Sequence, residues 1–350
     1  MPTTLAAPPR LDYPFGDPPA PGSALEVAPG VLWLRMPLPF ALDHINVWLL
    51  ADADAWTLVD CGYGSRATRE LWEQHLRSTL EGRPLRRIVA THYHPDHVGN
   101  AEWLMQRTGA RFAMTAAEFA SAHAAADGHS GYEIERVIGL LCQHGMPRED
   151  EEALRTRGNA YRHGVPSLPA DFERLHDGDT LSMAGTTWRV LEGHGHSPEH
   201  ASLHSSDAAV LIAGDMLLPR ISTNVSVWPV APDGDSLRGF LDSIARLRAL
   251  PESTLVLPSH GLPFRGINLR VTELEKHHVA RLEELEHAVL TRGAVCAADL
   301  VPVLFPRQLD LQQRFFAMGE TIAHLNHLWH AGRVARVASG DNDVLFGPPT

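Results

Sequence analysis

The sequence predicts an α+β fold that carries a small helical, winged-helix-like domain at its C-terminus. Short β-branched and aromatic runs, broken by Gly, Pro and Asp, recur over residues 30–92 and again over 180–261, and such runs read as strands. Apolar residues at helical spacing fill the stretches between them. After residue 271 the pattern turns to three helical stretches and a closing hairpin, the order of a winged helix.

The first 22 residues hold seven prolines and no apolar core segment, which predicts an extended, partly disordered arm over 1–24 and not a signal peptide. "GVLWLRMPL" (30–38), "INVWLLAD" (45–52) and "WTLVDCG" (56–62) predict successive strands of an antiparallel sheet. "SRATRELWEQHLRSTL" (65–80) spaces Leu71, Leu76 and Leu80 along a helix behind Ser65, a capping residue. "LRRIVATH" (85–92) returns to a strand, and Pro95 suits the first turn of the helix that follows. Residues 116–165 predict a helical insert lying over or beside the site, clearest in "YEIERVIGLLCQHG" (132–145). Strands resume at "TLSMAGTTWRVLEG" (180–193), with Gly185 in a hairpin turn, and at "AAVLIAGDM" (208–216). An amphipathic helix (236–250) feeds the strand "STLVLPSHG" (253–261). The main domain is expected over 25–268 and the C-terminal one over 269–350.

Apolar content of 44% and charged content of 21% are those of an ordinary folded chain, and no apolar run is long enough to span a bilayer. Cys61, Cys142 and Cys296 are too few and too scattered for a disulfide framework or a Cys-based metal site, so a reducing cytoplasm is the expected setting. A net charge of −12 opposes broad nucleic-acid binding. Residues 271–350 carry seven Lys/Arg against ten Asp/Glu, the wrong sign for a winged helix gripping phosphates, which favours a packing and pocket-completing role.

Chemistry concentrates in "THYHPDHVGN" (91–100), three histidines and an aspartate within six positions. Four other predicted strand ends supply metal-competent side chains: Asp60 in "VDCG", His194, His196 and His200 in "EGHGHSPEH", Asp215 in "AGDM", and His260 in "LPSHG". Loops at strand ends suit a site because rigid elements fix their roots. A two-metal hydrolytic centre needs about three protein ligands per ion and a bridging group. His92, His94 and His196 can hold one divalent ion, and Asp96, His97 and His260 the other, with Asp215 between them. With 21 histidines a lone His means nothing, but H-x-H-x-D-H joined by three further ligands in order is a metal site.

"HYHPDH" (92–97), GH-x-x-x-H (195–200), "GD" (214–215) and "SHG" (259–261) together resemble the metallo-β-lactamase fold hydrolase superfamily, over roughly residues 25–265. The resemblance implies an αββα sandwich with a dinuclear site at one edge between the sheets. It implies that His196 binds metal, that His200 is structural or supports the ligands, and that Asp60 braces the metal loop by hydrogen bonds. His194 is left without a role. Asp215 matches the bridging aspartate of the glyoxalase II-like and thioesterase-like branches, which true β-lactamases of the fold generally lack. His94 stands where flavodiiron reductases carry glutamate. Only 44 residues separate Asp215 from His260, too few for an inserted β-CASP module. The C-terminal tail resembles the winged-helix-like extension of the β-lactamase-like-protein-2 group.

The expectation is a hydrolase that cleaves an acyl thioester of the acyl-CoA or glutathione type with two divalent ions, Zn first and Fe or Mn also compatible with His/Asp ligation. Asp96 would bind metal and orient the nucleophile. Arg220 and Arg265 are candidates to grip a substrate carboxylate or phosphate, and His277, His278 and Arg281 are candidates for the pocket rim. The expected partner is a small acyl substrate, with no membrane and no nucleic acid; a homodimer stays open. A lactonase, a nuclease acting on single-stranded RNA or nucleotides, and a DNA-binding regulator are the competing readings.

Overall fold

The computed structural model describes residues 10–338 and 343–349. Residues 1–9 of the expected arm and the tip of the expected C-terminal hairpin, 339–342, lie outside the described residues.

Residues 10–24 are ordered, contrary to the arm expected there. Asp12 and Arg265 exchange backbone hydrogen bonds of 3.2 and 2.8 Å, while Leu11, Tyr13 and Phe15 pack against the body. Backbone pairing and three apolar side chains outweigh the prolines' preference for an extended, solvated chain.

A first sheet starts with β1 (Leu25–Ala28), β2 (Val31–Pro37), β3 (His44–Ala51) and β4 (Trp56–Val59), paired antiparallel. Ser65 caps α1 (Arg66–Ser78) by accepting from Thr68 N at 3.2 Å. β5 (Leu85–Val89) then pairs parallel to β4. It leads through a tight turn into α2 (Pro95–Val98), α3 (Ala101–Thr108) and β6 (Arg111–Thr115). The insert is α4 (Ala116–Asp127), α5 (Ile134–Gln143), α6 (Arg148–Arg157) and α7 (Tyr161–Gly164), after which β7 (Glu173–Leu175) closes the sheet in the order β1 to β7.

The second sheet has the order β12-β11-β10-β9-β8. It is built from β8 (Thr180–Met183), β9 (Thr186–Gly193), β10 (His200–Ser205) and β11 (Val210–Gly214), with α8 (Ser236–Arg246) before β12 (Leu255–Pro258). Ala184 and Gly185 both take positive φ in the β8–β9 turn, as a tight hairpin requires. The chain ends with α9 (Ile267–Arg292), α10 (Ala297–Leu304), α11 (Leu311–His330) and the hairpin of β13 (Ala335–Ala338) with β14 (Val344–Gly347).

Three apolar clusters define the layers. Trp33, Trp48, Val59 and Val89 of the first sheet meet Trp188, Leu203, Ile212 and Leu257 of the second. The outer face of the first sheet packs on α1, α3 and α4 through Trp72, Leu104 and Ala122. The outer side of the second sheet packs on α8, α9 and α11, giving helix, sheet, sheet, helix. That last cluster also takes in Val137 and Leu141 of α5 and Leu154 of α6, so the insert and the C-terminal helices share one core. Between them the Arg314 guanidinium donates to the buried Asp150 carboxylate at 2.8 and 2.6 Å. Among the described residues no helix is long and apolar enough to cross a membrane.

β10 carries no strand pattern in the sequence, "HASLHS", yet all six residues are buried. Its two serine hydroxyls are satisfied internally: Ser202 donates to Ala213 O at 3.2 Å and Ser205 to Thr186 Oγ1 at 3.1 Å. A strand covered on both faces shows no polar/apolar alternation, and here hydroxyl and imidazole groups stand where aliphatic ones are usual.

Candidate metal centre

The strands end where the two sheets are stitched together. Ala201 N donates to Thr91 O at 2.8 Å and Asn46 N to Ser259 O at 2.7 Å, while Ser259 N donates to Gly214 O at 3.1 Å within the second sheet. The buried Asn46 side chain also donates to Pro258 O at 2.8 Å and Gly261 O at 2.9 Å, which fixes the loop of His260. Asp60 follows β4, His92 to His97 span the turn from β5 into α2, His196 follows β9, Asp215 follows β11 and His260 follows β12.

At this edge His92, His94, His196 and Asp215 place ligand atoms within 4.8 Å of one another, as do Asp96, His97 and His260. His92 Nε2 lies 2.9 Å from His94 Nδ1 and 3.2 Å from His196 Nε2. Asp215 reaches both groups. Its Oδ2 is 3.4 Å from His196 Nε2, while its Oδ1 is 3.6 Å from His97 Nε2 and 3.5 Å from His260 Nε2. Asp96 Oδ2 is 3.6 Å from His97 Nε2 and 3.5 Å from His260 Nε2.

The far ring nitrogens are occupied. His196 Nδ1 donates to Asn224 O at 2.7 Å and His260 Nδ1 to His44 O at 2.8 Å. His97 Nδ1 lies 2.8 Å from Asp60 Oδ2, and His92 Nδ1 lies 3.0 Å from the Thr91 hydroxyl. A carbonyl or carboxylate can only accept, so three of these rings carry a proton outward, and the inward nitrogen is left to hold a cation or, without one, a second proton. His97 Nε2 and Asp215 Oδ1 are buried with no hydrogen-bond partner in the protein. Inward-facing ring nitrogens, a shared carboxylate and two orphaned buried atoms are the donor set of a divalent cation, and the residues fit one.

Electrostatics divide the site. Burial, reinforced by neighbouring imidazoles, holds His92 and His94 well below the ordinary histidine pKa, so both are neutral ligands. Burial opposes charge on His97 too, but Asp60, Asp96 and Asp215 outweigh it and raise the pKa to about 10. Burial would raise the pKa of Asp215, yet His260 and His97 hold it well below the usual carboxylate value. His200, buried among imidazoles, is lowered to about 3 and stays neutral.

The supporting residues expected from the sequence touch the site. Asp60 sits in left-handed backbone (φ 60°) and accepts from Thr91 N at 2.8 Å as well as facing His97. His200 Nε2 accepts from Asp215 N at 3.1 Å; Gly214 permits this, since a Cβ there would stand 2.3 Å from that nitrogen. His194 points away, its Nδ1 2.7 Å from Pro198 O.

The expected substrate residues are not gathered in the same way. Arg265 is drawn off to Ser253 O at 3.2 Å and the Asp12 carboxylate at 3.5 Å, because residues 10–24 pack beside it. Arg220 is exposed, with its guanidinium 6.0 Å from the Tyr13 ring. His278 is a core histidine, fully buried, edge-on to Phe240 and 3.0 Å from His324 Nε2. Arg281 is half-buried against Glu284 at 2.5 Å. His277 is exposed.

Sequence reading missed Asn224, His44 and Glu118. Asn224 and His44 act through backbone carbonyls, which leave no trace in residue identity. The Glu118 carboxylate accepts from Tyr93 N and Glu199 N, and its only sequence signal is an acidic residue in a helix's first turn.

Residues 41–260 match the Metallo-beta-lactamase superfamily, and residues 282–348 match the Metallo-beta-lactamase-like, C-terminal domain. A crystal structure of a beta-lactamase domain protein from Burkholderia ambifaria is 44% identical and covers 97% of this chain and 98% of its own, with a TM-score of 0.89. The probable metallo-hydrolase YqjP of Bacillus subtilis is 27% identical over 85% of this chain and 92% of its own length. The human acyl-coenzyme A thioesterase MBLAC2 is 26% identical over 54% of this chain and 63% of its own length.

Proposed function

This chain belongs to the metallo-β-lactamase superfamily, and we propose that as a metallo-hydrolase it cleaves an acyl thioester with two divalent cations, most simply Zn. The observation that carries the reading is Asp215, whose two oxygens face the two ligand groups separately. A thioesterase among the relatives supports the acyl class.

His92, His94 and His196 on one side and Asp96, His97 and His260 on the other would hold divalent cations, which would supply an activated water at neutral pH and Lewis acidity for a carbonyl. The protein's own work is to keep the two ligand groups in register. Asp215 spans them and is fixed by His200 through its backbone N–H. Asp96, half-buried at the mouth, presents a carboxylate that can orient a water toward the substrate. A thiolate leaves readily, so no strong general acid is required. Tyr93, Tyr132 and Trp228 run as a chain of ring contacts, at 5.8 and 5.6 Å, from the ligand turn to the 221–230 loop, an apolar flank suited to an acyl group.

The test is metal content by mass spectrometry, followed by turnover on acyl-CoA, glutathione thioester, lactone, β-lactam and phosphodiester substrates. The expected result is close to two ions per chain, thioester turnover, and loss of at least about 100-fold in kcat in Asp215→Ala. Full activity in metal-free protein, or turnover of phosphodiesters alone, would sink the reading.

A further inference from the structure

The metal ligands do not explain Glu118. Its side chain is fully buried at the first turn of α4, where the helix N-terminus favours negative charge, and among the described residues it forms no ion pair. Both carboxylate oxygens are engaged by backbone. Oε2 accepts from Tyr93 N at 2.9 Å and Oε1 from Glu199 N at 2.7 Å. Tyr93 lies between His92 and His94; Glu199 lies three residues after His196. One side chain therefore ties the turn of two ligands to the loop of the third.

The surroundings tighten both ends. The Tyr161 hydroxyl of α7 donates to Tyr93 O at 2.6 Å, so the peptides on either side of Tyr93 are held. Thr115 donates to Glu199 O at 2.7 Å, and the Glu199 carboxylate accepts from Ala117 N at 2.9 Å, capping α4 from a distant loop. Burying a carboxylate without a cation is costly, and a residue placed so is held for its geometry.

We propose that Glu118 is a positioning residue: it sets the distance between the His92–His94 turn and the His196 loop so that their nitrogens converge on one cation. The proposal rests on the metal reading above. In Glu118→Gln an amide NH2 replaces one acceptor, meets a backbone N–H, and releases one of the two loops at nearly unchanged volume.

The experiment titrates metal-free full-length chain with Co(II), following binding by equilibrium dialysis and the visible absorption spectrum, and melts the metal-free proteins alongside. Wild type should take up cobalt. Glu118→Gln should fold, lose roughly 10–100-fold in affinity for one of the ions, and show an altered cobalt spectrum. Tyr161→Phe, acting on the next peptide of the same turn, should shift both readouts less and in the same direction. Wild-type affinity and spectrum in a folded Glu118→Gln would overturn the proposal. So would an unfolded Glu118→Gln accompanied by an unperturbed Tyr161→Phe, which would reduce Glu118 to fold stability. If wild type itself takes up no cobalt, the metal reading falls and the proposal with it.

Discussion

His97 and His260 are braced by the sandwich, whereas His94 and His196 are braced by the insert and the C-terminal helices. Asp60 at the end of β4 faces His97, and the carbonyl of His44 in β3 receives the His260 proton. On the other side, Glu118 and Tyr161 of the insert hold the peptides around Tyr93. The carbonyl that receives the His196 proton belongs to Asn224, whose side chain donates at 3.2 Å to Glu320 of α11. One half of the centre is thus intrinsic to the sandwich; the other depends on the insert and the C-terminal helices packed around it. Elements far from the chemistry can tune one ligand group and leave the other alone.

The largest expected effect comes from breaking the intrinsic half. Asp60→Ala strands Thr91 N and leaves His97 without its buried partner, at a cost of about 3–5 kcal/mol. The urea midpoint of the metal-free protein should drop accordingly; an unchanged midpoint would show that Asp60 does not brace the turn. A smaller effect is expected from Arg314→Ala, which uncouples the insert from α11 at the Asp150 carboxylate. Because Arg314 is partly exposed, about 1–2 kcal/mol is appropriate. Hydrogen exchange should accelerate in α5, α6 and α11 while the amides around Asp60 keep their protection. Equal acceleration in both regions would erase the contrast.

The smallest effect sharpens the contrast by pH. Burial raises the Glu320 pKa to about 7, against which the Asn224 hydrogen bond works. Unfolded chain releases this proton near 4.5, so wild-type stability falls as pH rises from there to about 7 and then levels. Glu320→Gln removes that decline, and a gain of order 1 kcal/mol is expected at pH 8, fading to none near pH 4. Melting curves of both proteins across this range decide it; parallel curves would show that Glu320 does not titrate as described.

The sequence was legible where side-chain identity does the work. H-x-H-x-D-H, Asp215 and His260 are chosen for their donor atoms, so the ligands announce themselves, and the β-branched and aromatic runs of β2 to β4 expose their sheet. It was silent where the backbone does the work or where a group is spent elsewhere. Asn224 and His44 matter through their carbonyls, and β10 is a buried strand written in Ser and His. Arg265 looks free in sequence because nothing there reveals that Asp12 will pair with it, and His278 looks available because its burial against Phe240 and His324 is a tertiary fact.

The Asn224–Glu320 hydrogen bond also sets an order of events during synthesis. A ribosome releases the chain N-terminus first, at about 5–20 residues per second, and domains fold as they emerge. The ends of β4 and β5, with Asp60 and His97, can form while the second sheet is still being made. The Asn224 loop that receives the His196 proton gains its hydrogen bond to Glu320 only after α11 has left the exit tunnel, more than a hundred residues after His196. A nascent chain therefore passes through a stage in which only one half of the centre has all its supports, and the other half is completed with the last helix.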